Sequence, residues 1–186
     1  MSNVNIDMTY DDSEVQKLFA QMLARGRNTE TAMKDIGEAM LISTDKRFRN
    51  QVDPQGQSWT PLRPRTLKRK RNKKTLTERG YLRGSIAYDA SKDRVAWGTN
   101  SPYGAIHQHG GEIKKKTRNQ TLAFNKRGRF LSRAGADRRK RGAIGVAFTS
   151  IGAHIVNIPA RPYLGVSRQD RAIILQILRR HIRAAR

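Results

Sequence analysis

The stretch from Arg94 to Gly111, RVAWGTNSPYGAIHQHGG, constrains the fold more than any other. Val95 and Trp97 alternate at period two, as a strand with one buried face requires. Gly98-Thr99-Asn100 then turns the chain. Tyr103 to Gln108 is short and reads as one helical turn after Pro102, and Gly110-Gly111 closes it. Adjacent glycines mark a backbone path that side chains would obstruct. Alanine at Gly110 or Gly111 is therefore expected to impair folding. Ser85 to Tyr88 alternates in the same way, so with Arg94–Gly98 it predicts a hairpin across Ala90 to Asp93.

Helical patterns lie on both sides. Asp11 to Leu23 carries Val15, Leu18, Phe19, Met22 and Leu23 on one face, with Ser13 and Gln16 at capping-box spacing. A second helix is predicted from Glu30 to Arg49, capped by Thr29, with Met33, Ile36, Met40, Leu41, Thr44 and Phe48 as its stripe. Asp53-Pro54-Gln55-Gly56 reads as a turn. Gly145–Thr149 and His154–Ile158 read as strands, and Pro159 to Pro162 ends them. Ser167 caps a last helix with Asp170 at the box position; Ile173, Ile174, Ile177, Leu178 and Ile182 form its stripe. At 186 residues the expectation is a single domain: N-terminal helices over 1–50, a β-rich part over 51–165, and a C-terminal helix over 166–186.

Charge decides the class of partner. The chain carries a net +23, unevenly spread: residues 1–45 hold −4 and residues 46–186 hold +27. Apolar residues make up only 37%, so the core is modest and some segments lie outside it. Two basic excursions stand out, over 63–74 and 112–142. The first supplies Arg63, Arg65, Lys68, Arg69, Lys70, Arg71, Lys73 and Lys74, with Leu67 its one apolar residue. The second supplies Lys114, Lys115, Lys116, Arg138, Arg139, Lys140 and Arg141. It has a candidate hairpin, Thr121–Phe124 with Arg129–Leu131, around Asn125 to Gly128. Such a field attracts polyanions, nucleic acid first and acidic protein surfaces nearly as well. Within the runs the only aromatics are Phe124 and Phe130, so phosphate contact is more economical than base stacking.

The residues argue against catalysis. His107-x-His109 with Glu112 nearby invites a metal reading, but no third ligand is close in sequence, and a hydrogen-bonded pair beside a Gly-rich turn is the simpler account. Asp53, Asp89, Asp93 and Asp170 each sit at a turn or cap, and no carboxylates are spaced as an acid/base couple or metal cluster. No cofactor is implied. The chain has no cysteine, and no apolar run is long enough to span a bilayer. The polar, acidic start MSNVNIDMTYDD resembles neither a signal nor a transit peptide, so synthesis and assembly in the cytoplasm are expected.

Four segments stand in order along the chain. The first holds Asp53, Pro54, Gly56, Trp59, Pro61 and Leu62, and the second Leu76, Gly80, Leu82, Ser85 and Ile86. The third runs through Gly98, Thr99, Asn100, Tyr103, Ile106, His107, Gln108, Gly110 and Gly111, and the fourth from Ile158 to Gly165. Together, with the second matched only in part, they resemble the virion morphogenesis family of tailed phages, the Mu-like tail-completion or neck proteins. Arg79 stands where the family has Thr, and His109 where it has an aromatic. The resemblance implies an α+β fold, with helices packed on a twisted antiparallel β-sheet and long basic loop excursions. It implies a structural virion protein forming a ring, commonly a hexamer, between the connector or head-closure proteins and the tail-tube or tail-terminator proteins, with DNA passing through the lumen. On this reading Asp53, Gly56, Trp59, Tyr103, His107, Gln108, Gly110, Gly111, Arg161 and Pro162 hold the loop framework, while the basic excursions meet DNA or neighbouring subunits.

A free basic nucleic-acid-binding protein is the main alternative. It explains the charge but neither the motif set nor the acidic helical start. A phage nuclease or protease is opposed by the carboxylate census.

Overall fold

The computed structural model describes residues 12–24, 29–124, 130–133 and 145–183. Helix α1 (Ser13–Ala24) and helix α2 (Thr29–Asn50) form where the apolar stripes predict them. Their starts differ in detail. Asp12, rather than Ser13, caps α1: its carboxylate accepts from the Glu14 N–H at 3.0 Å and the Val15 N–H at 3.3 Å. A carboxylate there satisfies orphan donors and meets the positive helix end together. Thr29 is not a cap but already helical, and its hydroxyl donates to the Lys92 carbonyl at 2.5 Å.

Two short helices follow, α3 (Pro64–Leu67) and α4 (Tyr81–Gly84). Strands β1 (Ile86–Ala90) and β2 (Val95–Thr99) make the expected hairpin, with Tyr88 opposite Trp97. α2 packs against both strands. Gly37 makes this approach possible, since a Cβ there would lie 2.3 Å from the Tyr88 ring. Helix α5 (Gly104–His109) then leads to Gly110, whose φ of 74° and ψ of −175° lie in a region open essentially to glycine.

The last helix, α6 (Arg168–Arg183), begins with the predicted capping box. The Asp170 N–H donates to Ser167 Oγ at 3.1 Å, and the Ser167 N–H to Asp170 Oδ2 at 2.8 Å. Its buried face is Ile174, Leu175, Ile177 and Leu178, whereas Ile173 is 39% exposed. α6 packs against both α1 and α2. Two partners widen the buried arc towards Leu175 and leave Ile173 outside it. Met22, Ala32, Met33, Ile36, Met40, Ile174, Ile177 and Leu178 form one core. Phe48, Trp59, Leu82, Tyr163 and Leu164 form a second, with Phe48 edge-on to Trp59 at 5.4 Å between ring centroids.

These elements belong to one compact unit, Met1–Gly110 with Pro159–Arg186; Gly111–Ile158 is another. In the second, β3 (Gly111–Lys115) pairs antiparallel with a strand at His154–Ile158. β4 (Arg118–Phe124) lies between β5 (Phe130–Arg133) and β6 (Gly145–Ile151), the His154–Ile158 strand being β7. The excursion over 112–142 is therefore not simply a loop. It contributes three strands, including the predicted hairpin, whose tip at 125–129 lies outside the described residues. The α+β class holds. The strands form three antiparallel ladders, of two, two and three strands, rather than joining one sheet. The chain beyond Gly111 finds its strand partners within its own segment, so the β1–β2 ladder stays separate.

Candidate functional site: a hydrogen-bonded frame and the basic loop beside it

The segment from Pro159 to Gly165 has no regular secondary structure, yet Arg161, Tyr163, Leu164 and Gly165 are buried. Its backbone groups must then be paired by side chains, and three separated stretches supply them. Trp59 Nε1 donates to the Pro162 carbonyl at 2.7 Å. Gln108 Oε1 accepts from the Tyr163 and Leu164 N–H groups, both at 3.0 Å, while its Nε2 donates to the Leu164 carbonyl at 3.0 Å. Arg161 ties the segment back: its Nε donates to the Thr60 carbonyl at 2.8 Å, and its N–H to the His107 carbonyl at 2.8 Å.

Arg47, which the sequence reading did not single out, completes the frame. It is 5% exposed and donates to the Tyr163 carbonyl at 3.1 Å and the Gly165 carbonyl at 2.8 Å. It also pairs with the buried Asp170 carboxylate. Burial pulls the guanidinium below its ordinary value and the Asp170 charge opposes that. The available signal was position, because Arg47 falls between Thr44 and Phe48 on the buried stripe of α2.

The remaining motif residues occupy local posts. Asp53 Oδ1 accepts from the Gln55 and Gln57 N–H groups at 2.9 and 2.8 Å, and the Gly56 N–H donates to the Asp53 carbonyl at 3.0 Å. His107 is half-buried and edge-on to Tyr103, centroids 6.1 Å apart. Burial, and secondarily the charge of Arg161, lowers its pKa and so favours the neutral ring. Tyr163 is fully buried, and burial raises its hydroxyl to about 12. Gly111 opens β3 at an exposed position.

The basic residues sit outside this frame. Arg63, Arg65, Lys68, Arg69, Arg71, Lys73 and Lys74 are exposed. The loop that carries them is nonetheless clasped. Glu78 pairs with Lys70 at 3.4 Å and accepts the Arg71 N–H at 3.2 Å. Asn72 Nδ2 donates to the Thr77 carbonyl at 3.3 Å and its Oδ1 accepts the Lys74 N–H at 3.0 Å. Lys114, Lys115 and Lys116 are exposed in and just after β3, and Arg138, Arg139, Lys140 and Arg141 lie outside the described residues.

Most described acids of the helices in the first unit are committed elsewhere. Asp12 and Glu14 pair with Arg171, Glu14 with Arg179, and Asp35 with Arg180 and His181. Glu30 pairs with Lys34, and Asp45 with Arg49 and Arg83. Asp12, Glu14, Glu30, Asp35 and Asp45 are thus balanced by cations of the same unit, and Glu78 is the one acid within the basic loop. An exposed cluster of cations attracts anions. Among the described residues no three His, Asp or Glu side chains come together as a metal site would require, and no helix is long and apolar enough to cross a membrane.

Comparison with known proteins agrees with the motif reading. The family model of the phage virion morphogenesis family matches residues 10–183 of the 186. No curated protein and no solved structure matches the chain.

Proposed function

Because the chain belongs to the phage virion morphogenesis family, and is thus a phage structural and morphogenesis protein, we propose that it forms a ring at the head–tail junction. The ring, a hexamer on the family pattern, joins the capsid connector to the tail and lets the genome through. Its partners are the connector or head-closure proteins, the tail-tube or tail-terminator proteins and, in the lumen, DNA held through phosphates. The role is assembly and sealing, with no reaction catalysed.

One observation carries the reading. A strongly basic loop is clasped in a defined shape beside a buried hydrogen-bonded frame, while most described acids of the helices in its unit are already paired. A surface of this kind suits a fixed assembly that contacts polyanions better than a soluble binding arm would.

The test is the mass and symmetry of the purified protein at low and moderate salt, with and without duplex DNA, by light scattering and electron microscopy. Rings, or entry into rings on adding connector or tail subunits, are expected. A monomer that stays monomeric with those partners yet binds duplex tightly and salt-sensitively would replace this reading with a free nucleic-acid-binding protein.

A further inference from the structure

Tyr81 follows the basic loop directly, and the fold carries Tyr103 back to it from beyond the β1–β2 hairpin. Tyr81 is 66% exposed and Tyr103 41%. Together with Leu76, Leu82 and His107 they line one cleft of about 190 Å³. That is below the ~300 Å³ at which sites for whole small molecules begin, and it suits a single side chain. His107 holds a buried Nδ1 with no hydrogen-bond partner among the described residues. Leu76 has a φ of 57°, in the left-handed region that residues other than glycine rarely enter. Such a conformation persists only where its surroundings fix it. Gln51, just past α2, does so: its carboxamide accepts the Thr75 N–H and donates to the Thr75 carbonyl at 3.2 Å. Glu78 holds the other side through Lys70 and the Arg71 N–H. A cleft fixed in this way meets a partner without a further cost of ordering.

The occupant must answer both the charge and the shape. Residues 63–79 hold nine basic side chains and one acid, Glu78, which already clasps the loop. Duplex DNA answers the charge through its phosphates, but its bases are stacked on one another and leave no side group to enter the cleft. A second copy of this chain brings a net +23 to the same surface, and like fields repel. An acidic protein segment answers both. Its carboxylates meet the cations, and an aromatic side chain packs among aromatic neighbours better than its area alone predicts. Exposed tyrosines around a pocket are also what protein interfaces are enriched in.

We propose that the cleft beside the loop over 63–79 is the docking site for an acidic segment of a neighbouring virion protein, with one aromatic side chain of that segment seated against Tyr81, Tyr103 and His107. The cations of the loop take the carboxylates on either side of it. Gln51 and Glu78 are positioning residues that keep the loop in shape. The proposal rests on the junction reading, which supplies such a neighbour in the next protein layer.

The experiment is fluorescence anisotropy on the full-length protein with three labelled probes: polyglutamate, a glutamate–tyrosine copolymer of the same length, and duplex DNA. The copolymer is expected to bind about 2- to 12-fold more tightly than polyglutamate, the worth of an aromatic pair. Tyr81→Ala combined with Tyr103→Ala, its fold checked by circular dichroism, is expected to erase that preference and to leave polyglutamate and duplex binding unchanged. If the double variant misfolds, Tyr81→Ala alone carries the test, since its side chain is the more exposed. Phe at both positions keeps the rings and the preference. Replacing Arg69, Arg71, Lys73 and Lys74 by Gln weakens both polymers and flattens their salt dependence. Equal binding of the two polymers to the unaltered protein overturns the proposal, as does a preference that survives the alanine variants. Duplex binding that falls along with the copolymer in those variants also overturns it, and assigns the cleft to nucleic acid. Electron microscopy of the same samples separates the two readings. Rings without the copolymer preference sink this inference alone, and the preference without rings, even on adding connector or tail subunits, sinks the junction reading alone.

Discussion

Gln108 shows how much one side chain can hold. It is 5% exposed, and its amide satisfies the Tyr163 N–H, the Leu164 N–H and the Leu164 carbonyl at 3.0 Å each. Gln108→Ala leaves three buried backbone groups unpaired, at ~1–3 kcal/mol apiece before relaxation. Urea unfolding should show a loss of about 3 kcal/mol or more, and a loss below about 1 kcal/mol would mean the segment re-pairs elsewhere. Gln108→Glu keeps the acceptors but sets a carboxylate against the Leu164 carbonyl, so it should destabilise too. Gly37 gives the opposite lesson about propensity. Alanine is the better helix former by ~1 kcal/mol, but its Cβ would meet Tyr88 Cδ2 at 2.3 Å. Overpacking of that kind costs ~1–3 kcal/mol. Thermal denaturation of Gly37→Ala should show a lower Tm; a higher one would mean that the Tyr88 ring swings clear at no cost.

Among the elements, α6 is held to α1 and α2 by apolar packing and by a row of ion pairs. A hydrogen bond from His181 holds the Asp35 carboxyl below its ordinary value of 3.8, with the charges of His181 and Arg180 acting in the same direction. Asp12 is lowered likewise, chiefly by its hydrogen bond from Arg171. A carboxylate depressed in the folded state stabilises it above the unfolded pKa, near 4, and loses that contribution as pH falls through the lower folded value. Urea unfolding in an acidic pH series should thus show stability falling below about pH 4. Asp35→Asn should flatten that fall, and an identical pH profile in the variant would remove Asp35 from the account. The arginines of these pairs reach solvent, so the amplitude of the fall is modest.

At the scale of the molecule, the two apolar cores among the described residues lie in the unit made of Met1–Gly110 and Pro159–Arg186. The second unit leaves and returns at one place, because Gly111 pairs with Ile158 at the root of the β3–β7 ladder. Antiparallel partners are ~5 Å apart, so a short Gly-Ser linker can bridge Gly110 to Pro159 at little entropic cost. Replacing residues 111–158 by such a linker should leave cooperative unfolding and the buried signal of Trp59 unchanged. Loss of the cooperative transition would show that the first unit depends on the second. The excised variant also loses Lys114, Lys115, Lys116 and the run 138–141, so it tests which excursion drives DNA binding in the full chain.

The sequence alone determined what is local or additive. The stripes of α2 and α6, the Ser167–Asp170 box, the β1–β2 hairpin and the turn at Asp53 depend on residues a few positions apart. Net charge is a sum that no fold can change, and the ordered motif segments identified the family. Only the tertiary structure decided which segments meet. Gln108 and Leu164 are 56 residues apart, and Arg47 and Asp170 are 123 apart. Whether an arginine on a helix is a surface charge or a buried clamp depends on the carbonyls that chain closure delivers to it. The same closure split the strands into three ladders, paired Asp12, Glu14 and Asp35 with α6, and carried Tyr103 to the basic loop. Periodicity records which face of an element is buried, but partners across the chain are chosen by the backbone groups left unpaired once those faces have packed.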